Sequence, residues 1–204
     1  MSKKYISNAD GKGWLIVKYS DGSTYPPLPQ FVRVDFQQTQ GDRDYFVIME
    51  GRSATKNASV KLKSDGGSYL VDGDSTISEG LIHYILSTGE LFYFLGPGWV
   101  GPISIITKPS NPVPVGSHDL EIPDEVHDSA KSYESQSIYA CSWFRIGHSG
   151  DRYLHTGEHS DGCATVTDVP KWTDIYNYLI MRRKNDGNSV GVLEVFATPS
   201  DRHV

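Results

Sequence analysis

Apolar and polar residues alternate along most of this chain in short runs separated by turn signals. FVRVDFQ, residues 31 to 37, has the two-residue period of a half-buried strand, and DYFVIMEG repeats it. GWLIVKYSDGSTY reads as a strand running into an Asp21-Gly22 turn. Asp-Gly and Gly-Gly steps recur at 10–11, 21–22, 65–67, 72–73 and 186–187, so the pattern predicts short antiparallel strands. The stretch from 52 to 78, around SATKNASVKLKSDGGS, is polar and rich in glycine and serine and reads as a loop or boundary. Beyond it, LIHYILSTGELFYFLG predicts two strands joined at Ser87-Thr88-Gly89. KPSNPVPVGSHDLEI is a proline-rich loop entering a strand, SQSIYACSWFRIG is another strand, and SVGVLEVFA closes the chain.

One segment breaks the two-residue period. Trp172, Ile175, Tyr176, Leu179 and Ile180 fall on one face of a helix. Thr167 or Asp168 can cap its start, Pro170 suits its first turn, and Arg182, Arg183 and Lys184 sit where cations favour the helix dipole. Asn185-Asp186-Gly187 stops it. The stripe is core packing. The expected fold is therefore mainly β with one clear helix near 168–184.

Composition narrows the function. At 204 residues, with 22% charged and 38% hydrophobic residues, the chain is long enough for one sizeable core or for a small domain beside a larger one. A net charge of −6 argues against a nucleic-acid partner, and Arg182-Arg183-Lys184, the longest basic cluster, reads as a helix end. No run approaches the roughly 20 apolar residues of a membrane span, so no membrane insertion is expected. Lys3 and Lys4 are not followed by an apolar run, so the chain is expected to be made in a cytoplasm and not sent out by the general secretory route. Two cysteines do not make a disulfide scaffold. Cys141, among apolar and aromatic neighbours, reads as a core thiol; Cys163 sits in a glycine-flanked turn, where a reactive thiol would have to be.

YLHTGEHSDGCATV, residues 153 to 166, concentrates the chemistry. His155, His159 and Cys163 are four apart, with His148 seven earlier, and nitrogen and sulfur suit zinc. That spacing gathers ligands only on a helix, which Gly157 and Gly162 oppose, so no metal is expected. Ser160 lacks the glycine two residues before it that a nucleophile elbow needs. A cysteine nucleophile fits better. A neighbouring imidazole can take the thiol proton, Gly162 lets the backbone bend, and amides in the turn can face an oxyanion. The bland reading is a histidine-rich exposed loop.

Ser160-Asp161-Gly162-Cys163, preceded by Arg152-Tyr153-Leu154-His155-Thr156-Gly157, resembles the active-site signature of the L,D-transpeptidases. The likeness is to their short-spaced branch, which includes antibacterial effectors of type VI secretion. Pro112 to Gly116 followed by Asp119-Leu120-Glu121-Ile122 resembles that family's entry to a strand, and Ser87-Thr88-Gly89-Glu90-Leu91 its opening strands. The likeness covers roughly residues 78 to 197, a domain-sized span, and is specific only over 152 to 166. It implies a β-rich L,D-transpeptidase-like catalytic domain over 76–204 beside an N-terminal β-rich region, 1–75, which is either separate or part of the same domain. The family follows its cysteine with a hydrophobic residue and then arginine or asparagine; here Ala164 and Thr165 stand instead. That leaves Arg152 or Arg145 to hold a substrate carboxylate, against the plain reading of both as strand-surface charges.

The resemblance implies Cys163 as nucleophile, with His155 as base, His148 the runner-up and His159 lining the pocket. The Gly162 and Cys163 amides are implied to hold the oxyanion, Ser160 completes the catalytic signature, and Tyr153 and Trp143 wall the substrate. The implied reaction needs no cofactor. Cys163 attacks the carbonyl after an L-centre of a peptidoglycan stem tetrapeptide, the terminal D-residue leaves, and water or an amine resolves the thioester. The effector branch adds a secretion apparatus and an immunity protein as expected partners, and action in the periplasm or cell wall after non-classical delivery. Another cysteine hydrolase, an amidase or endopeptidase, and a non-catalytic β-rich binding or structural protein stay open beside it.

Overall fold

The computed structural model describes residues 2–7, 10–73 and 77–202. Its first half holds β1 (Ser2–Ile6), β2 (Trp14–Leu15), β3 (Lys18–Tyr19), β4 (Leu28–Pro29), β5 (Arg33–Gln40), β6 (Arg43–Ile48), β7 (Asn57–Lys61) and β8 (Leu70–Asp72). Six of these form an antiparallel sheet in the order β3-β7-β6-β5-β1-β8, and β2 pairs with β4 as a separate ribbon. The stretch from 52 to 78 is therefore not one long loop. Ala58, Ser59 and Val60 are buried in β7, and the small Ala58 and β-branched Val60 join the apolar core. Polarity hid this strand because its ends are exposed while its middle is not.

The second half continues with β9 (Gly80–Ile85), β10 (Glu90–Phe94), β11 (Trp99–Ile106), β12 (Gly116–Glu121), β13 (Phe144–Arg145), β14 (Tyr153–Thr156), β15 (Ala164–Val166), α1 (Trp172–Ile180) and β16 (Ser189–Phe196). The strands form one sheet, ordered β12-β16-β9-β10-β11-β15-β14-β13. The fold is mainly β with a single α-helix among the described residues. The segment SQSIYACSWFRIG contributes only Phe144–Arg145 to the sheet; before it the chain coils through turns that bury Ala140 and Cys141 in a small cluster of their own.

A 3₁₀ turn, Val169–Lys171, carries Pro170 and leads into α1. Neither Thr167 nor Asp168 caps it with a side chain: the Thr167 N–H donates to Ser104 O, and Asp168 makes no side-chain cap bond. The helix stops at Ile180, short of the basic cluster. Arg183 is 1% exposed, not a solvated helix end. Its Nε and Nη2 donate to Glu50 Oε1 at 2.8 and 2.7 Å, while Arg33 Nε donates to Glu50 Oε2 at 2.6 Å. A buried carboxylate in the first sheet thus draws the guanidinium inward, since neither charge tolerates burial alone. The buried apolar residues of both halves, from Ile6, Val34, Phe46 and Ile48 to Ile82, Leu154, Trp172 and Leu193, form one contiguous core.

One connection positions the chemistry. β14 and β15 are parallel, with Leu154 opposite Ala164, His155 opposite Thr165 and Thr156 opposite Val166. Parallel neighbours usually need a crossover of a dozen or more residues. Residues 157–163 suffice here because the strands are so short, but the chain must reverse twice to return.

Candidate active site

The return loop ends at Gly162, whose φ of +127° suits glycine. A Cβ there would lie 2.7 Å from Asn111 Nδ2. Ser160 ties the turn: its Oγ donates to Cys163 O at 2.7 Å and accepts the Gly162 N–H at 3.3 Å. Arg152 holds it from outside. Nη1 donates to Asn111 O, Pro112 O and Gly162 O at 3.2, 2.9 and 2.7 Å, and Nη2 to Asn111 Oδ1 at 2.5 Å. The guanidinium is committed to fastening the proline-rich segment to the turn and offers no open fork to a carboxylate. Arg145 is equally engaged, with Gly150 O, Glu121 and Asp124.

Cys163 is half-buried and free of any disulfide. It precedes β15, so the parallel register sets it beside Tyr153. Its Sγ accepts the Tyr153 N–H at 3.4 Å and its thiol is directed at Asp151 O, 3.8 Å away. Burial pushes the thiol above its ordinary pKa, against the Tyr153 N–H and the Arg152 charge, which pull it down, while Asp161 and Asp151 raise it further. Cys141 is buried, and burial with the Glu134 carboxylate pushes it to about 11.

His155 sits one strand away with its side chain 7% exposed. Its Nδ1 lies 2.9 Å from Thr156 O, and a carbonyl can only accept, so Nδ1 carries the proton. Nε2 is then the basic nitrogen, and it faces Thr165 Oγ1 at 3.0 Å. Burial pushes this imidazole down to about 4, with His127 adding to the effect and the Thr156 carbonyl opposing it. The structure thus puts Cys163 and His155 on neighbouring strands, offset by two residues. No hydrogen bond joins them; the threonine hydroxyl stands where the thiol was expected.

Trp143 stacks on the His155 ring at 4.2 Å between centroids and, on its other face, on His127 at 4.1 Å. Tyr153 meets both Trp143 and His127 edge-on. His127 Nε2 lies 3.8 Å from Asp124 Oδ1, and Arg145 Nη2 pairs with Asp124 Oδ2. The spacing of residues along the chain carried no sign of His127 or Asp124, which reach the site from a turn segment ahead of β13. Thr165 did leave a signal, as the residue standing where the resembled family has arginine or asparagine.

The other candidates lie apart. His159 is exposed on the loop. His148 is exposed and bonds Glu121 Oε1 at 2.9 Å and Asp119 Oδ2 at 2.8 Å, which raise its pKa. His148, His155, His159 and Cys163 do not assemble as ligands; the group found among the described residues is Asp119, His148 and Asp186, with atoms within 4.8 Å of one another and Lys184 paired to Asp119. No helix among the described residues is long and apolar enough to cross a membrane.

No protein-family model matches the chain. No curated protein matches it either. Among solved structures it is similar to Mycobacterium tuberculosis L,D-transpeptidase 1, at 14% identity over 92% of this chain and 88% of that one, with a TM-score of 0.40. An L,D-transpeptidase from Mycobacterium smegmatis matches at 13% identity over 89% and 82%, TM-score 0.39. M. tuberculosis L,D-transpeptidase 3, in complex with a faropenem-derived adduct, matches at 12% identity over 89% and 81%, TM-score 0.38.

Proposed function

We propose that this chain is a cysteine acyl-transfer enzyme of peptidoglycan, working as an L,D-transpeptidase or L,D-carboxypeptidase on stem tetrapeptides. The observation that carries the reading is that Cys163 ends a glycine-bent return between two parallel strands, one strand away from a buried imidazole whose Nδ1–H is held by Thr156 O. His155 Nε2 takes the thiol proton once the two side chains meet. The thiolate attacks the carbonyl after the L-centre. The Cys163 amide is the proposed oxyanion donor, since the Gly162 N–H leans on Ser160 Oγ. Collapse breaks the peptide bond, His155 returns the proton to the departing amine, and a thioester remains on Cys163. Water releases it in a carboxypeptidase; an amine of a second stem or a free D-amino acid takes it in a transpeptidase.

Delivery outside the producing cell as an antibacterial effector, with an immunity protein as partner, belongs to the same proposal. Its support is the short spacing of His155 and Cys163. One observation favours a second reading, a non-catalytic β-rich protein: the imidazole bonds Thr165 and not the thiol.

The test is incubation with disaccharide tetrapeptide and mass spectrometry of the products, with Cys163→Ala alongside. Loss of one alanine, or its exchange for an added D-amino acid, is expected in the unaltered protein only. A different cleaved bond points to an amidase or endopeptidase; an intact substrate points to the non-catalytic reading.

A further inference from the structure

We infer that Thr165 is a positioning residue of this site: its hydroxyl and the Cys163 thiol compete for the one free lone pair of the His155 imidazole. This rests on the acyl-transfer reading above. Three observations lead to it. Nδ1–H donates to Thr156 O, so Nε2 is the only ring nitrogen that can accept. Thr165 Oγ1 lies 3.0 Å from Nε2 and, with Nδ1 protonated, must be the donor. The thiol meanwhile is directed at Asp151 O and makes no hydrogen bond to the ring.

The strand geometry makes the competition possible. Thr165 is directly opposite His155 in β15, and Cys163 stands two residues earlier, just ahead of that strand. Two residues of strand rise about 6.6 Å and neighbouring strands lie about 4.8 Å apart, so Cys163 is about 8 Å along the diagonal from His155, within reach of a long side chain or an aromatic ring. Turning the imidazole toward Cys163 breaks the Thr165 bond and makes the thiol bond. Thr165 is fully buried and His155 is nearly so. The groups that bear on the two partners are Arg152, Asp151 and Asp161 around the thiol, and His127 across Trp143 from the imidazole.

Removing the hydroxyl without changing the shape leaves Nε2 a buried acceptor lacking a donor, and the thiol is the donor at hand. The experiment follows iodoacetamide alkylation of Cys163, read on its own peptide by mass spectrometry, from pH 5 to 10. Thr165→Val is expected to lower the midpoint by about one unit or more, the effect of an adjacent imidazolium. Thr165→Ser is expected to keep the unaltered midpoint. Equal midpoints for all three proteins, or a serine variant that moves as far as the valine one, overturn the inference.

Should the valine variant fail to fold, ¹⁵N spectra of the unaltered protein decide. The inference requires a neutral His155 at pH 7 with Nδ1 protonated and Nε2 bare; an imidazolium there overturns it. Neither readout uses turnover. An intact tetrapeptide beside a shifted midpoint therefore sinks the acyl-transfer reading and leaves the competition standing, and the converse result does the opposite.

Discussion

Cys141 and Cys163 show how little residue type decides. Cys141 lies in a buried cluster with its thiol on Glu134 and its pKa pushed to about 11, so it stays a protonated, inert thiol at neutral pH. Cys163 is half-open at the end of a loop. Alkylation of the native protein at pH 8.5 is expected to label Cys163 well ahead of Cys141, and equal labelling would contradict the burial. Gly162 is the residue beside it that no side chain can replace. Alanine there combines φ +127° with a 2.7 Å approach to Asn111 Nδ2. Gly162→Ala is expected to cost about 1–3 kcal/mol of backbone strain. It should also loosen the Arg152 bond to Gly162 O, seen as a lower unfolding midpoint in urea together with a changed alkylation rate at Cys163.

Among the elements, the parallel pair β14–β15 sets which side chains can meet, and the ion pair behind the helix sets how the halves hold together. Glu50 is 1% exposed and is the shared partner of Arg183 and Arg33. Replacing it leaves a buried guanidinium without its counter-charge. Glu50→Ala is therefore expected to destabilise the protein by about 3–5 kcal/mol, measured by urea unfolding. A loss below 1 kcal/mol would mean that Arg183 swings out to solvent. The helix itself was legible because its apolar stripe has a period no strand shares. Its end was not, because Glu50 lies 133 residues from Arg183 and only the folded chain brings them together.

For the molecule as a whole, the buried histidines set the response to acid. His155 and His83 both fall to about 4, the first mainly through burial, the second through burial and the Arg202 charge. A folded pKa below the ordinary 6.5 means that the unfolded chain binds protons the native state refuses. The stability is then complete above about pH 6.5 and is lost as pH falls toward 4. Asp124, held near 2 by its His127 and Arg145 contacts against the cost of burial, extends the loss below pH 4. His148 acts in the opposite sense: Glu121 and Asp119 raise it, so its contribution fades as pH rises, but it is exposed and weak. Tm is expected to be flat above pH 7 and to drop between 6.5 and 4. His83→Gln should flatten that drop, because an amide can still accept from Arg202 and donate to Glu194 without titrating. An unchanged slope in the variant would remove His83 from the account.

Local pattern sufficed for the β class, for the hairpin at Ser87-Thr88-Gly89, for the single helix and for the separation of a core thiol from a loop thiol. Each rests on neighbours within a few residues, and periodicity and turn chemistry report on those directly. The strand in the polar stretch before residue 62 escaped, since burial of Ala58 and Val60 depends on a sheet built from distant segments. The partner of His155 escaped for the same reason. Sequence spacing put Cys163 and His155 eight residues apart and left their geometry open. The parallel register, set by how short strands pack over one shared core, put Thr165 opposite the imidazole and the thiol two residues away.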